Sequence, residues 1–288
     1  MSDVTSTGIK RRDVLKGAAA AAVGTAAIAA PAREAEAAKN APRWGMIMDI
    51  RRCIGCSACT VACKAENFVS LGRFRTVVQR KMTGTFPNVK KVNLPIICNH
   101  CEGSAEDGKD DGVPPCVSIC PEYPGERMTY VSPTTGKKIR YRGGATYRRP
   151  DGLILIDVDK CIGCGKCLDG CPYGVRSFDP FVQAGAKPEE QTADKCTFCV
   201  HLIDNGQDPA CVTTCQGKAR IFGDLNDPDS PVSKLVREHN LSAPANVLLP
   251  EKGTKPQVYY IDPDGVLKTA YREREKGKLD HYMERLDA

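Results

Sequence analysis

Sixteen cysteines dominate the chemistry available to this chain, and they fall into four groups of four. The first group occupies residues 53–63 in the pattern C-x2-C-x2-C-x3-C, and the third repeats that pattern over residues 161–171. Three thiolates spaced in this way can each bind a different iron atom of one cubic cluster, while the fourth reaches a second cluster. Gly55 lets the loop bend and brings backbone N–H groups close to sulfur. The pattern therefore predicts iron–sulfur clusters of the [4Fe-4S] type.

The second and fourth groups are looser, and each ends in two cysteines four residues apart. In chain order the groups are Cys53, Cys56, Cys59 and Cys63; Cys98, Cys101, Cys116 and Cys120; Cys161, Cys164, Cys167 and Cys171; and Cys196, Cys199, Cys211 and Cys215. No cysteine is left over. Four complete groups predict four [4Fe-4S] clusters and no catalytic cysteine.

Other uses of cysteine compete with iron binding. A disulfide-stapled exported interaction module would suit an even cysteine count, but three thiols crowded in one loop would need distant partners. Structural zinc would use paired C-x2-C knuckles and would leave the third and fourth cysteines without a role. Haem of the c type needs C-x-x-C-H, which the sequence does not contain. Iron–sulfur is the favoured interpretation, with a disulfide- or zinc-stapled module as the alternative of another class.

Composition limits the fold and the partners. The 288 residues allow one to two domains, with 6% aromatic residues and a single Trp. Because a core this poor in large side chains gains little from apolar burial, we expect the clusters to hold it together. The formal charge is +6, whereas four clusters with their thiolates would contribute about −8. The basic excess therefore compensates the clusters and does not indicate nucleic-acid binding.

Residues 1–37 have the features of a twin-arginine signal peptide outside the fold. Arg11 and Arg12 form the arginine pair of KRRDVLK, an alanine-rich stretch follows, and residues 35–37 (AEA) offer a cleavage site. A cytoplasmic N-terminal helix is the alternative. We expect export to the periplasm, or to the extracytoplasmic face of the cell membrane, by a route that carries folded proteins. The apolar stretch is too short to span a bilayer, and we expect no transmembrane segment in this chain.

The sequence contains an internal duplication. Predicted strands at residues 45–50 and 153–158 lead into the first and third groups through the similar strings DIRRCIGC and DVDKCIGC. The second and fourth groups share PCVSIC and ACVTTC. The predicted fold class is α+β, with two bacterial-ferredoxin-like modules, one inserted in the other, loop and hairpin insertions, and a C-terminal extension.

The predicted boundaries follow the cysteine groups. Module A comprises residues 44–75 and 190–225, which hold groups one and four. Module B comprises residues 90–180, which hold groups two and three and a hairpin insertion at 127–150. Residues 226–288 form a C-terminal extension for partner docking. Further predicted elements are a strand at 219–224, a helix near 233–239, a strand at 257–261 and a charged helix from about 269.

Spacing alone leaves two ways of completing the clusters. Cys63 could serve the cluster of the second group, which is next along the chain, or the cluster of the fourth. In a ferredoxin module two cysteine runs lie antiparallel, and each lends its last thiol to the other's cluster. This topology favours pairing the first group with the fourth and the second with the third.

Several strings resemble one family, the four-cluster electron-transfer subunits of molybdopterin oxidoreductase complexes. These strings are DKCTFC (194–199), ARIFGD (219–224), CPYG (171–174), PAC (209–211) and LLPEKGTKPQVYY (248–260). The resemblance covers roughly residues 44–262. The family includes the small subunits of tetrathionate, thiosulfate, polysulfide, arsenate, dimethyl sulfoxide and nitrate reductases. The last string is most similar to its sulfur-compound branch, and to the tetrathionate reductases in particular.

The resemblance implies a ligand set for each cluster. The sets are Cys53, Cys56, Cys59 and Cys215; Cys63, Cys196, Cys199 and Cys211; Cys98, Cys101, Cys116 and Cys171; and Cys120, Cys161, Cys164 and Cys167. It also implies a non-catalytic subunit that carries electrons between a molybdopterin catalytic subunit and an integral-membrane quinone-reacting subunit or a cytochrome. An exported four-cluster protein that feeds a cytochrome c nitrite reductase is the alternative within the same class.

Charged residues near the cysteines have two possible roles. Lys64, Lys166 and Lys195 could raise cluster potentials by their charge, or they could be solvated surface residues. His100 and His201 are expected to pack or to form hydrogen bonds rather than to act in catalysis. Arg140, Arg142, Arg148 and Arg149 form a basic cluster, for which a solvated face is favoured over a docking surface.

Overall fold

The computed structural model describes residues 41–103, 112–179 and 191–267. Within these ranges the protein is an α+β fold with little helix and small sheets, so the predicted fold class is confirmed at that level. The predicted signal peptide and the predicted helix from about residue 269 lie outside the described residues. No helix in the described ranges has the length and apolarity that crossing a bilayer requires.

The strands, in chain order, are β1 (Trp44–Asp49), β2 (Val77–Thr83), β3 (Lys90–Ile96), β4 (Arg127–Val131), β5 (Lys138–Arg142), β6 (Thr146–Arg148), β7 (Ile154–Ile156), β8 (Ser177–Asp179), β9 (Thr192–Asp194), β10 (Arg220–Asp224) and β11 (Val258–Ile261). The α-helices are α1 (Ala58–Glu66), α2 (Pro115–Ser118), α3 (Lys166–Asp169), α4 (Val200–Ile203), α5 (Ala210–Thr213) and α6 (Pro231–Glu238), followed by short 3-10 turns at Pro244–Asn246 and Pro250–Lys252. Helices α2 to α5 are four residues long, and each contains or directly follows a cysteine. They therefore position thiols rather than form a helical layer.

Strand β1 is the centre of a three-stranded sheet with the order β10-β1-β11. It runs antiparallel to β10, with Met46 opposite Phe222, and parallel to β11, with Ile47 beside Tyr259. Residues 45–49 are all buried, because Met46 packs into the main core and Ile47 into a smaller apolar cluster on the other face. A strand covered on both faces appears in the sequence as a continuous apolar run.

Most of the predicted elements are present, with small shifts at their ends. β1, β10, β11 and the β4–β5 hairpin all lie where strands were predicted, while β7 is only three residues long. Helix α6 begins two residues before its predicted start. There Pro231 occupies the first turn, and the Ser230 hydroxyl caps the helix by accepting a hydrogen bond from the Ser233 N–H at 3.1 Å.

The β2–β3 hairpin is absent from the sequence-based predictions, although it is the longest hairpin among the described residues. Its seven residue pairs run from Val77 opposite Ile96 to the β2–β3 turn. The first pair is buried, whereas Met82 and Phe86 near the turn are 69% and 92% exposed. Because only one end of the hairpin packs on the core, the strands show no sustained apolar alternation.

The chain that follows β10 is built into the fold as far as residue 267. The Tyr260 hydroxyl of β11 donates a hydrogen bond to the Pro95 carbonyl at 2.9 Å, and the Gln257 N–H donates to the Asn99 carbonyl at 2.8 Å. Val258 and Tyr260 are fully buried. This part of the predicted C-terminal extension therefore completes the sheet and covers the second cysteine group; a role in partner docking stays a prediction.

Candidate metal centres

The structure gathers twelve of the cysteines around three cavities, and all sixteen are free thiols. The cavities contain about 350, 330 and 300 Å³ of space not filled by atoms. In the same order, the cavities are lined by Cys53, Cys56, Cys59 and Cys215 (set 1); Cys98, Cys101, Cys116 and Cys171 (set 3); and Cys120, Cys161, Cys164 and Cys167 (set 4).

The remaining four cysteines, Cys63, Cys196, Cys199 and Cys211, form set 2, and all four are buried. Burial raises the pKa of Cys63 to about 12, and the neighbouring Cys211 and Cys199 add to this effect. Asn67 joins two members of the set, since its Nδ2 lies 3.4 Å from Cys199 Sγ and 3.8 Å from Cys63 Sγ. The structure thus places Cys63 with the fourth group, while Cys171 completes the cavity of the second.

The side chains around set 2 form a connected polar network. Arg75 donates to Asn67 Oδ1 at 3.0 Å and forms an ion pair with Asp194 at 2.7 Å. Both members of this ion pair are largely buried, with 16% and 9% of their side chains exposed. The network fixes the orientation of Asn67 and therefore of its amide hydrogens, which face the two sulfurs.

Two glycines allow the first and third cysteine loops to bend as predicted. Gly55 has φ +72°, and a Cβ at this position would lie 2.5 Å from Asn93 Oδ1. Gly163 has φ +67°, and a Cβ there would lie 2.4 Å from the Gln191 carbonyl oxygen. Asn93 also donates to the Cys53 carbonyl at 2.8 Å, so the β2–β3 hairpin braces the first loop. Both positions therefore exclude a side chain on conformational and on steric grounds.

Backbone N–H groups approach several of the sulfurs. The Ala219 N–H donates to Cys215 Sγ at 3.2 Å, and the Ala193 N–H donates to Cys161 Sγ at 3.4 Å. Hydrogen bonds to cluster sulfur stabilise negative charge there and are among the factors that set reduction potentials. These contacts are of the kind that an iron–sulfur site requires.

The arrangement of the cysteines fits a cubic cluster. In such a cluster each thiolate binds a different iron atom, so its ligands surround a volume. Three of the four sets line a cavity in this way. Burial also raises the pKa of Cys171 to about 11 and that of Cys101 well above its ordinary value. Near neutral pH such thiols lose their protons when a metal replaces them.

Three buried cations lie among the cysteines. Arg220, Arg176 and Lys195 are 3%, 4% and 1% exposed. Arg220 Nη2 lies 3.3 Å from Cys59 Sγ, and Cys116 is an electrostatic partner of both Arg176 and Lys195. Within the described ranges their partners of opposite charge are cysteine sulfurs. The interior of the fold therefore carries positive charge that only thiolate or cluster charge can balance.

The local sequence marks the two buried arginines, but it does not distinguish the buried lysine from an exposed one. Arg176 and Arg220 each lie five residues after the last cysteine of their group, in the repeated pattern C-x4-R-x-F. Lys195 and Lys160 share the pattern D-K-C-x-x-C. Lys195 is buried, whereas the Lys160 side chain is 37% exposed and pairs with Glu126. The two lysines cannot be told apart from their local sequence.

The other two lysines singled out from the sequence lie in different environments. Lys64 Nζ donates to the carbonyl oxygens of Ser70 and Arg73 at 2.8 and 2.9 Å and lies 4.8 Å from the centre of the Phe74 ring. It therefore closes the loop that follows α1. Lys166 is exposed, as expected for a solvated residue.

The histidines near the cysteines are occupied by packing and hydrogen bonds, as expected. His100 is fully buried, stacks on Phe198 with ring centres 3.9 Å apart, and accepts a hydrogen bond from the Ile154 N–H at 3.0 Å. Burial lowers the pKa of His100 well below its usual value. His201 Nε2 lies 2.8 Å from Glu66 Oε1.

The predicted basic cluster separates into two kinds of residue. Arg140 and Arg142 are exposed. Arg149 is held by ion pairs to Asp151 and Asp204 at 2.7 and 2.6 Å, and 11% of its side chain is exposed. The prediction of a solvated face therefore holds for Arg140 and Arg142, whereas Arg149 has a structural role.

Sequence comparison relates this chain to known iron–sulfur proteins. Residues 89–225 match the profile of the 4Fe-4S dicluster domain. The chain is 38% identical to a tetrathionate reductase subunit of Salmonella typhimurium, over 82% of this chain and 79% of that protein. It is 35% identical to the arsenate respiratory reductase iron-sulfur subunit ArrB of a Shewanella species, over 80% of this chain and 100% of that protein. Protein NrfC of Escherichia coli is 34% identical over 77% of this chain and 82% of its own length.

The fold and the cysteine sets define an iron–sulfur protein with [4Fe-4S] clusters as its cofactors. The identity and coverage of these matches also show its family. The chain belongs to the iron–sulfur electron-transfer subunits of oxidoreductase complexes, a family that includes tetrathionate, arsenate and dimethyl sulfoxide reductase subunits. It is an electron-transfer subunit and not a catalytic one.

Proposed function

We propose that this chain carries electrons through four [4Fe-4S] clusters, one held by each of cysteine sets 1 to 4. The cavities of similar size, each lined by four thiols, support this ligand assignment. When bound, such clusters supply one-electron transfer. The chain's own residues hold the clusters in place, exclude water from set 2, and set the local charge.

The observation that carries the proposal is the linear order of the four sets. At each junction, burial is the main cause that raises the pKa of one cysteine, and a thiol of the neighbouring set is among the smaller causes. These cysteines are Cys211 beside Cys59 (sets 1 and 2), Cys196 beside Cys98 (sets 2 and 3), and Cys167 beside Cys116 (sets 3 and 4). Cys56 in set 1 and Cys164 in set 4 are exposed. The order 1-2-3-4 thus has an exposed cysteine only in the two end sets, while the cysteines of sets 2 and 3 are buried or partly buried, as a path between two partners requires.

The proposed partners are a molybdopterin catalytic subunit at one end and an integral-membrane quinone-reacting subunit, or a cytochrome, at the other. The exposed cysteines are flanked by exposed apolar residues, Ile54 at 67% and Ile162 at 62%, which another protein could cover. The similarity to a tetrathionate reductase subunit favours the respiration of a sulfur oxyanion such as tetrathionate.

The two-module arrangement is also proposed. Pairing of β1 with β10 joins residues 44–75 to residues 190–225, and set 1 draws its cysteines from both segments. Sets 3 and 4 draw theirs from within residues 90–180. This supports one ferredoxin-like module inserted in the other, related by duplication. The β8–β9 hairpin connects the two, because its strands lie on either side of the proposed boundary.

We propose that residues 1–37 direct the folded protein to the periplasm or to the extracytoplasmic face of the membrane by the twin-arginine route, with Arg11 and Arg12 as the required pair. The motif itself is the support. Clusters would then be inserted in the cytoplasm before export.

The similarity to NrfC keeps one alternative open, in which the chain feeds a cytochrome c nitrite reductase. Its partner would be a cytochrome rather than a molybdopterin subunit. A native complex with a molybdopterin subunit should contain molybdenum, whereas a complex with a cytochrome should contain haem.

The test begins with the isolated chain, purified without oxygen. Iron and acid-labile sulfide should each reach about sixteen atoms per chain; a value near eight would contradict four clusters. The native complex is then purified from its host, and its molybdenum and haem contents are measured. After reduction with titanium(III), tetrathionate should restore the visible absorbance of the oxidised clusters. The isolated chain is the control and should not respond. Reoxidation by nitrite with haem and without molybdenum would establish the alternative.

A further inference from the structure

We propose that Arg220, Lys195 and Arg176 are junction cations, one buried positive charge placed between each pair of neighbouring cysteine sets along the electron path. The proposal rests on the four-cluster function above and assigns a role to residues of the chain that bind no iron. Each cation would stabilise added negative charge on both sides of its junction at once.

Arg220 occupies the junction of sets 1 and 2. Its Nη2 lies 3.3 Å from Cys59 Sγ of set 1 and donates to the Thr76 hydroxyl at 2.8 Å. The guanidinium also forms a hydrogen bond with Cys211 of set 2. A planar group with five N–H donors can face two sulfur sites in this way, which a single ammonium cannot do equally well.

Arg176 occupies the junction of sets 3 and 4. It lines the set 3 cavity, interacts most strongly with Cys116 of that set, and forms a hydrogen bond with Cys167 of set 4. Its Nη1 lies 3.4 Å from the Thr146 hydroxyl. A guanidinium stays protonated in proteins, so Arg176 contributes a positive charge at this junction.

Lys195 occupies the remaining junction, between sets 2 and 3. Its Nζ donates to the carbonyl oxygens of Ile154 and Cys196, the latter at 2.8 Å. Burial and the nearby Arg176 work against a charge on Lys195, whereas Cys98 and Cys116 of set 3 and Cys196 of set 2 favour it. A bound cluster on either side would add to that favourable effect. Every junction in the order 1-2-3-4 therefore contains one buried cation.

The two arginine junctions are built alike. Each arginine follows the last cysteine of its group by five residues and directs a guanidinium nitrogen to a threonine hydroxyl, Thr76 for Arg220 and Thr146 for Arg176. A chance ion pair would not recur at the same spacing with the same partner type. Arg75 provides a contrast, because its charge is balanced by the carboxylate of Asp194.

The physical effect follows from the charge of the loaded sites. Neighbouring anionic centres disfavour one another's reduction, and a cation between them offsets that repulsion while raising both potentials. One centre loses one electron as its neighbour gains one; no bond forms or breaks, and the guanidinium keeps its protons. Because the cations are buried, added salt should not screen them.

The test measures the midpoint potentials of all four clusters by EPR-monitored redox titration of the anaerobically purified full chain. Arg220→Gln should lower the potentials of two clusters, those of sets 1 and 2, with at least a tenfold change in the ratio of reduced to oxidised cluster, or about 59 mV for one electron. Arg220→Lys keeps the charge and should recover much of the shift. Lys195→Gln should act on sets 2 and 3. Its matched control, Lys160→Gln, alters the same motif at an exposed position and should leave the potentials unchanged.

The outcomes separate this inference from the proposed function. A wild-type chain with fewer than four clusters would contradict the function itself. Four intact clusters with unshifted potentials in Arg220→Gln would overturn the junction role alone, as would equal shifts in Lys195→Gln and Lys160→Gln. If the glutamine variants fail to hold iron, the wild-type chain labelled with guanidino-15N arginine is reduced and examined by pulsed EPR. Nitrogen couplings from the labelled group are then expected, and their absence would refute the placement.

Discussion

Removing the clusters should unfold this chain rather than leave an empty, folded protein. Burial raises the pKa of Cys63 to about 12 and that of Cys171 to about 11, so without metal these thiols are neutral near pH 7. Arg176 and Arg220 then remain buried and protonated with no charge to balance them, while burial lowers the pKa of Lys195. The perturbation is chelation of iron under anaerobic, reducing conditions.

The size of the effect can be worked from the two buried arginines, which keep their charge. Leaving one buried charge without its partner costs about 3–5 kcal/mol. Two such charges give roughly 6–10 kcal/mol, which is comparable to the entire stability of an ordinary domain, about 5–15 kcal/mol. The metal-free chain should therefore be largely unfolded at room temperature, even before the lost cluster–sulfur bonds are counted.

Far-UV circular dichroism and Trp44 fluorescence provide the assay. Trp44 is the single tryptophan; its ring stacks on Phe222 with centres 5.3 Å apart, and its Nε1 donates to Asp151 at 3.1 Å. Chelation should abolish cooperative unfolding and shift the emission to that of a solvated indole. Adding iron and sulfide back should restore the native signals.

A variant without the buried cations tests whether their charge destabilises the metal-free chain. Replacing Arg176, Lys195 and Arg220 together with Met removes the buried charge while keeping similar volume, so the metal-free form of this variant should be more stable than the metal-free wild-type chain. The reasoning would be refuted by a metal-free wild-type chain that keeps its native spectrum and unfolds cooperatively. It would also be refuted if the triple variant gained no stability once the metal was removed.

Two further predictions concern ligands and export. Cys63→Ser should damage the cluster of set 2 and spare that of set 3, as followed by Mössbauer and EPR spectroscopy, whereas Cys171→Ser should do the reverse; damage to set 3 in Cys63→Ser would support the other pairing. Replacing Arg11 and Arg12 with Lys should leave loaded protein in the cytoplasm on cell fractionation, because the arginine pair is read by the export machinery. Normal export of that variant would mean that the motif is not a signal or that a partner supplies one.

The elements that the sequence predicts well are those whose signal is local. β1 and β10 are short apolar runs beside cysteine groups, and α6 has a serine cap followed by proline. The β2–β3 hairpin was missed because its outer half is exposed and its residues do not alternate. The parallel pairing of β11 with β1 joins residues about two hundred positions apart, and no local pattern encodes it.

The candidate sites, like the strands and helices, could be predicted only where the sequence carries a local signal. Cysteine spacing indicates clusters, and the structure gathers the same sets of four that the family resemblance implied; that each set binds a cluster stays a prediction. A repeated pattern marks Arg176 and Arg220 in the sequence, but the burial of the cations could not be recognised there. Lys195 and Lys160 share one local motif. Lys195 is buried in the core and donates to the Ile154 carbonyl, whereas Lys160 is partly exposed to solvent and pairs with Glu126. Burial is decided by what the tertiary fold places over a residue.

The position of β1 in its sheet has a consequence for the order in which the protein is made. A ribosome releases β1 early, but β10 and β11, the strands on either side of it, are among the last parts of the described chain to be synthesised. Sets 3 and 4 are complete once Cys171 has been made, whereas sets 1 and 2 must wait for Cys215 and Cys211. The inner pair of sites can therefore form on the growing chain, and the outer pair only near the end of translation. During that interval the first cysteine loop is without the strands that will enclose it, so the cell must keep its thiols reduced and unoccupied until the sheet closes.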